Sequence, residues 1–196
     1  TRADTLRWEK KTYKLFGYGF VNMYIVDDRL YILEDPSQGC YDISTGKTLW
    51  EQTFSLEEMK KQMSVGASIY SVGITWWNKK FYFTNTAGYL SSEMSGIPEE
   101  FITNIQCIDE NGKFIWGDLP EGSGSLWTKP EVVNGKCLVV VWDSLRVYDA
   151  ETGEILGVDY SVKSLGMDKN AVYDDMFIYF NFDQETLTSE LVAIRP

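Results

Sequence analysis

Carboxylates and thiols are the side chains of this sequence whose spacing could carry chemistry. Asp42, Asp109 and Asp149 recur at the same place in three similar segments. Three carboxylates brought together could bind a metal ion or exchange protons. An aspartate that begins a turn, however, commonly accepts hydrogen bonds from its own backbone. We favour this structural role for all three.

The three cysteines are Cys40, Cys107 and Cys137, and the sequence contains no histidine. Without histidine the chain lacks the commonest general base and the commonest metal ligand. Cys40 and Cys107 each lie two residues before a recurring aspartate, where other units carry Val147 and Ala193. That position therefore calls for a small apolar side chain, and Cys137 lies in a Val/Leu-rich strand. We predict buried structural thiols and no metal or cofactor site.

The remaining polar motifs predict no catalysis. Glu99–Glu100 could contact a metal or a partner, but an acidic pair of this kind is typical of a solvated loop. Ser123-Gly124-Ser125 is too short for a phosphate-binding loop and lacks its lysine. No nucleophile has a recognisable base, so we predict that the protein is not an enzyme.

The net charge of −11 argues against nucleic acid or an anionic membrane surface as the partner. It is compatible with a basic protein partner. No run of about 18 apolar residues is present, so we expect no membrane-spanning segment.

The recurring aspartates belong to a repeated unit. Tyr41-Asp42-Ile43-Ser44-Thr45-Gly46 is followed four residues later by Trp50, and Ile108-Asp109-Glu110-Asn111-Gly112 by Trp116. Tyr148-Asp149-Ala150-Glu151-Thr152-Gly153 is followed by Gly157 in place of the tryptophan. Self-similarity of this kind indicates a repeat architecture.

Each unit is predicted to contain short strands joined by tight turns. The first hairpins turn at Asp27-Asp28, Asn78-Lys79, Asn134-Gly135 and Asp174-Asp175. A capping box that begins at Ser55 predicts one short helix from Leu56 to Gln62. Trp76 and Trp77 lie outside the repeated positions, and alternation along a strand predicts that Trp76 is buried.

The predicted fold is all-β: a β-propeller of about four four-stranded antiparallel blades, in a single domain over residues 1–196. The fourth unit lacks a last strand. Thr5–Lys10 resembles Thr48–Glu51, so we expect it to pair with Glu190–Ile194 and close the ring, which leaves no edge strand unpaired. The alternative is a fragment of a larger propeller.

The Asp-x-x-Thr-Gly-x-x-x-Trp pattern resembles the PQQ-like β-propeller repeat of quinoprotein alcohol dehydrogenases and of the propeller lipoprotein of the outer-membrane barrel assembly machinery. Asp42, Thr45, Gly46 and Trp50 match it in full. The resemblance implies that the tryptophan docks against the neighbouring blade. The dehydrogenases bind PQQ with adjacent cysteines, which this chain lacks, so the resemblance favours the non-catalytic branch and implies no cofactor.

Long connections are predicted to gather at one end of the propeller. They are Lys11–Phe20, Thr53–Ala67, Asn85–Glu100, Asp118–Thr128 and Asp159–Asp168. Because strands alternate in direction, all of these lie opposite the short turns, and loops on a rigid scaffold commonly carry binding sites. The candidate partner-binding residues there are Tyr18, Tyr89, Met94, Trp127 and Tyr160.

The function predicted from these features is protein binding through the loop-rich face. An inhibitor or immunity-type protein and a subunit of an envelope assembly both fit. The alternative is a small-molecule or glycan binder, or a degenerate quinoprotein-like enzyme, that uses the central channel. The resemblance favours the periplasm or the cell surface, whereas free cysteines favour the cytoplasm.

Overall fold

A computed structural model of the protein describes residues 22–34, 37–53, 71–85, 105–118, 128–141, 144–162, 170–183 and 186–196. These residues form strands, turns and short connections, and no helix occurs among them. The strands are β1 (Asn22–Val26), β2 (Arg29–Glu34), β3 (Ser37–Asp42), β4 (Thr48–Thr53), β5 (Ser71–Trp77), β6 (Lys80–Asn85), β7 (Ile105–Asp109), β8 (Phe114–Asp118), β9 (Glu131–Val133), β10 (Lys136–Val141), β11 (Ser144–Asp149), β12 (Ile155–Asp159), β13 (Ala171–Tyr173), β14 (Met176–Asp183) and β15 (Thr188–Ile194). The predicted helix Leu56–Gln62 lies outside the described residues.

The strands form four antiparallel sheets, each built from strands that follow one another in the chain. The first three sheets have the orders β1-β2-β3-β4, β5-β6-β7-β8 and β9-β10-β11-β12, and the fourth contains β13-β14-β15. β1 contacts β5, β5 contacts β9, and β9 contacts β13. The first strands of the four sheets thus lie side by side, which is the radial arrangement of a propeller.

The predicted all-β propeller is therefore confirmed. The predicted ring closure depends on Thr5–Lys10, which lies outside the described residues.

Two-residue turns close the first hairpin of every sheet at the predicted positions. The residue pairs that flank these turns are Val26 with Arg29, Trp77 with Lys80, Val133 with Lys136, and Tyr173 with Met176. Both turn residues of the second, third and fourth sheets have positive φ, for example 50° at Asn134 and 74° at Gly135. Such mirror-image turns match the twist of the flanking strands, and Asn, Asp and Gly adopt them at little cost.

The core consists of layers between consecutive sheets, because side chains alternate along each strand and both faces of the inner sheets are covered. Between the first and second sheets the buried residues are Tyr31, Leu33, Cys40, Ile74, Phe81, Phe83 and Ile108. Between the second and third they are Tyr82, Ile105, Cys107, Trp116, Cys137, Val139, Val141, Tyr148 and Ala150. Between the third and fourth they are Val133, Leu138, Val140, Leu145, Val162, Phe177 and Tyr179.

The adjacent tryptophans at the end of β5 show the effect of this layering. Trp76 packs into the layer between the first and second sheets, with its ring centroid 4.4 Å from that of Phe81. Trp77 packs into the layer between the second and third sheets, 6.4 Å from the ring centroid of Tyr82. The predicted burial of Trp76 is confirmed in part, since its ring is partly covered. Trp77 is partly covered as well, because the second sheet packs against the first sheet on one face and against the third on the other.

Candidate functional site

The recurring aspartates organise the turns between the third and fourth strands. In the third sheet, Oδ1 of Asp149 accepts hydrogen bonds from the backbone N–H groups of Glu151 at 2.9 Å and Thr152 at 2.8 Å. In the first sheet, Oδ1 of Asp42 accepts the equivalent hydrogen bonds from the backbone N–H groups of Ser44 at 3.1 Å and Thr45 at 2.8 Å. Hydrogen bonds from the Thr45 and Ser44 hydroxyls, with those from the backbone, lower the pKa of Asp42 to about 2.

Asp109 uses its carboxylate in a similar way. Its Oδ1 accepts hydrogen bonds from the backbone N–H groups of Asn111 at 2.8 Å and Lys113 at 2.9 Å. Among the described residues, no group of three or more acidic, Cys or His side chains could hold a metal ion. The three carboxylates are therefore turn-forming groups, as predicted, and they do not assemble into a metal site.

Two of the repeat tryptophans, Trp50 and Trp116, each bond to the next sheet, a contact that we call the tryptophan lock. The indole Nε1 of Trp50 donates to the carbonyl of Glu110 at 2.9 Å, and that of Trp116 to the carbonyl of Ala150 at 3.0 Å. The rings lie over the turn glycines so closely that a Cβ on Gly112 would come within 2.7 Å of Trp50, and one on Gly153 within 2.5 Å of Trp116. The docking implied by the repeat is thus present at two interfaces. Trp8, which lies in a segment similar to that around Trp50, is outside the described residues.

All three cysteines are free and buried, as predicted. Cys40, Cys107 and Cys137 lie on β3, β7 and β10, in three different sheets. Burial raises the pKa of Cys107 to about 12 and also raises the pKa values of Cys40 and Cys137. Because the thiolate is the nucleophile, these thiols are unreactive near neutral pH. Nor do they provide the adjacent pair that holds PQQ in the dehydrogenases, so the described residues do not fit that cofactor.

Short turns occupy one end of the propeller, which we call the short-turn end. There the first and third turns of a sheet are joined by backbone hydrogen bonds from Ile43 N–H to Asp28 O, from Glu110 N–H to Lys79 O, and from Ala150 N–H to Gly135 O, at 2.9–3.0 Å. Side chains also link neighbouring sheets, since Asn78 Nδ2 donates to Glu151 Oε1 at 2.8 Å and Lys80 pairs with Glu151. The first and third turns therefore share one end, as predicted, whereas most of the residues of the long connections lie outside the described residues.

Tyr160 lies at the opposite, loop-rich end. It follows β12, whose last residue Asp159 pairs with Leu145 at the start of β11, away from the Asp149 turn. Oδ1 of Asp159 accepts hydrogen bonds from the backbone N–H of Ser161 at 2.9 Å and from its hydroxyl at 2.6 Å, so the turn that carries Tyr160 is held in place. The side chain of Tyr160 is 64% exposed. The other candidates, Tyr18, Tyr89, Met94 and Trp127, lie outside the described residues.

A polar cluster at the inner strands was not predicted from the sequence. Thr75 Oγ1 on β5 donates to the carbonyl of Pro130 at 2.5 Å and lies 3.3 Å from Glu131 Oε2. Lys129 Nζ is 3.0 Å from Glu131 Oε1, and Asn170 Nδ2 donates to the carbonyl of Lys129 at 2.7 Å. In the sequence, the feature that could have indicated this cluster is the pair of opposite charges at Lys129 and Glu131, two residues apart. The cluster joins the second, third and fourth sheets near the propeller axis.

The described residues contain no helix that is both long and apolar enough to cross a membrane.

Comparison with known proteins identifies the fold and leaves the family open. No protein-family model and no curated protein sequence matches this chain. Among solved structures it is similar to BamB from Moraxella catarrhalis, with 17% identity, a TM-score of 0.52, and coverage of 92% of this chain and 53% of that one. It is also similar to the AfRom2 CNH domain, with 12% identity, a TM-score of 0.51, and coverage of 88% and 48%.

A further match is a europium-containing methanol dehydrogenase, with 18% identity, a TM-score of 0.54, and coverage of 87% of this chain and 29% of that chain. At these identities the likeness concerns the fold alone. The chain spans about half the length of BamB and of the CNH domain, and it spans 29% of the length of the dehydrogenase. The chain therefore has the β-propeller fold.

Proposed function

We propose that the protein is a non-catalytic scaffold that binds another protein through its loop-rich end. The observation that carries this proposal is the contrast between the two ends of the sheets. At the short-turn end, turns are tied to one another by backbone hydrogen bonds. At the other end Tyr160 stands exposed on a turn fixed by Asp159. Tyrosine is among the residue types that dominate binding energy at protein interfaces.

The reactive groups of the described chain already have structural roles, which supports a non-catalytic protein. The aspartates hold turns, and burial keeps the thiols protonated. Glu131 is paired with Lys129 and Thr75. The serine and threonine hydroxyls that donate to Asp42, Asp149 and Asp159 lie within the turns that these aspartates close, so these hydroxyls also have a structural role.

The partner that best fits the charge of the chain is a basic protein. A net charge of −11 attracts a basic surface and accelerates its encounter, most strongly at low salt. An inhibitor or immunity-type protein would use this attraction against a basic target. A subunit of an envelope assembly would use it to dock on a neighbouring subunit.

Substitution at the two ends tests the proposal. A protein captured by the wild-type chain is purified, and its dissociation constant is measured against Tyr160→Ala, Tyr89→Ala and Trp127→Ala. We expect at least one of these variants to weaken binding by about 30-fold, the scale of an interface hot spot of 2 kcal/mol. The matched control is Glu154→Ala, an exposed residue at the short-turn end. Binding that survives all three substitutions, or that is lost in the control, would contradict the proposal.

The polar cluster at the inner strands supports a second candidate function, the binding of a small molecule or glycan near the axis. Lys129, Glu131 and Thr75 converge there and could exchange their mutual hydrogen bonds for bonds to hydroxyl groups. Thermal unfolding with a panel of sugars and quinones tests this candidate. A ligand that raises the midpoint of wild type but not of Glu131→Gln would favour it, and no shift with any ligand would count against it.

A further inference from the structure

Arg146 lies in the core layer between the second and third sheets. It is the third residue of β11 and is paired with Val139 on β10 and with Val158 on β12. Side chains alternate along a strand, so Arg146 shares a face with Tyr148. Tyr148 and Val139 both belong to that core layer. A positively charged side chain is therefore placed among apolar ones.

The repeat itself does not require a charge at this position. The equivalent residues, three before each recurring aspartate, are Gly39 in the first sheet and Gln106 in the second. Both are paired with the second strand of their own sheet, as Arg146 is. Two units thus form their interfaces without a cation at this place, so the charge of Arg146 is a feature of the third sheet and not of the architecture.

The guanidinium of Arg146 has no hydrogen-bond or ion-pair partner among the described residues. The residue is 9% exposed, and its Nε is buried without an acceptor. None of the ion pairs formed within the described part of the chain includes it. By contrast, the exposed side chains of Lys79 and Arg195 lie 3.9 Å and 3.1 Å from a carboxylate oxygen. Arg146 is thus buried without the anion that these two exposed cations have.

An unpaired guanidinium in a protein interior is unfavourable. Many buried ionisable groups avoid this cost because their pKa shifts until they are neutral. Arginine does not, since its guanidinium stays protonated in proteins. Burial of Arg146 therefore becomes favourable when an anion accepts its N–H groups. The planar fork of donors on a guanidinium matches the two oxygens of a carboxylate.

The carboxylate of Asp118, at the end of β8, borders the same layer and is bonded to another group. Its Oδ2 accepts a hydrogen bond from the hydroxyl of Tyr148 at 2.9 Å. Burial and the charge of Asp118 raise the pKa of Tyr148, and the charge of Arg146 lowers it, so both charges lie near that hydroxyl. Repulsion from Asp118 is weaker for a singly charged carboxylate than for a doubly charged phosphate, so a carboxylate is the anion that this surrounding favours.

We infer that Arg146 is the anchor of a binding site for the carboxylate group of a small organic acid, between the second and third sheets. The guanidinium fork donates hydrogen bonds to the two carboxylate oxygens and is thereby neutralised. Because little of the side chain is exposed, the group that reaches it is small and planar. The site does not include Tyr160, so a loss of acid binding and a loss of protein binding at the loop-rich end are separate results.

Thermal unfolding of the full 196-residue chain tests this site. Sodium acetate, succinate and benzoate are each titrated against sodium chloride at equal ionic strength, with sodium phosphate as a further arm. An acid that binds the folded chain should raise the unfolding midpoint by about 3–6 °C at about ten times its dissociation constant. The same acid should give a saturable signal in calorimetric titration of the folded chain, as expected for one site.

Three variants assign the effect to the buried guanidinium. Arg146→Met should lose the response to acids, and in chloride it should unfold no earlier than wild type, because an unpaired buried charge no longer opposes folding. Arg146→Lys keeps the charge but not the fork, and it should raise the dissociation constant of the acid by about tenfold. Arg195→Met is the matched control: it removes the same charge from an exposed pair with Asp174 and should keep the full response. Circular dichroism verifies that each variant is folded.

Several results would overturn this assignment. A wild-type chain that responds to none of the three acids has no such site, and an equal response in Arg146→Met would place the binding elsewhere. A larger shift with phosphate than with any carboxylate would change the class of ligand. A response that appears only in Glu99→Gln, Glu100→Gln or Glu121→Gln would show that a carboxylate of the chain itself already bonds to Arg146.

Discussion

A single added methyl group tests the tryptophan lock between the second and third sheets. Gly153 has a φ of 75°, and a Cβ placed there would lie 2.5 Å from Cδ2 of Trp116. Gly135 has almost the same φ, 74°, and a Cβ there would meet no atom within 4 Å. The two glycines thus share a backbone conformation and differ in whether an indole covers them.

The expected magnitudes follow from that difference. Alanine in the left-handed region costs about 1 kcal/mol, and this cost applies to both positions. Overpacking against a fixed core side chain adds about 1–3 kcal/mol, and this cost applies at Gly153 alone. We therefore expect Gly153→Ala to lower the free energy of unfolding by about 2–4 kcal/mol and Gly135→Ala by about 1 kcal/mol.

Guanidinium unfolding of the two variants and the wild type measures this difference, provided that the slopes of the three transitions agree. A double-mutant cycle identifies the cause. In a Trp116→Leu background, which removes the indole, the cost of Gly153→Ala should fall to that of Gly135→Ala. Equal costs of the two alanine variants in the wild-type background, or an unchanged cost after removal of Trp116, would refute the proposed lock.

Further predictions concern the turns, the thiols and the inner cluster. Because hydrogen bonds lower the pKa of Asp42 from 3.8 to about 2, its contribution to stability is present above pH 3.8 and is lost as the pH falls towards 2. Asp42→Asn should flatten the pH dependence of unfolding in that range, and an unchanged slope would contradict this. Burial and a pKa near 12 should keep Cys107 unlabelled by a thiol reagent until the chain unfolds, and rapid labelling of the native protein would contradict its burial. Thr75→Val should cost about 1 kcal/mol because it removes the donor to Pro130, whereas Thr75→Ser should cost less if the hydroxyl is responsible.

Local chemistry explains what could be predicted from the sequence. The turn at Asn134-Gly135 needs two positive φ angles, and these two residues adopt them readily. The Asp149 corner is likewise encoded within five residues, since the bonds of Asp149 run to Glu151 and Thr152. Motifs of this kind mark where the strands between them begin and end, so the all-β propeller could be predicted from the sequence.

Long-range contacts explain what could not be predicted. Thr75 meets Pro130 across a separation of 55 residues, and no local pattern marks that pair. The partial burial of Trp77 depends on the third sheet, so alternation along β5 alone could not place it. Of the five candidate residues for partner binding, Tyr160 is the one that lies among the described residues, and its side chain is exposed.

The interface between the third and fourth sheets differs from the other two. Gly157 stands where the earlier units carry Trp50 and Trp116, and no atom lies within 4 Å of the Cβ it would have. In repeat architectures the cooperativity of unfolding is set by nearest-neighbour coupling. Because this interface lacks the tryptophan contact, the fourth sheet is the unit that we expect heat or denaturant to detach first. A molecule that binds β13–β15 would consequently stabilise the chain against unfolding more than one that binds the first three sheets.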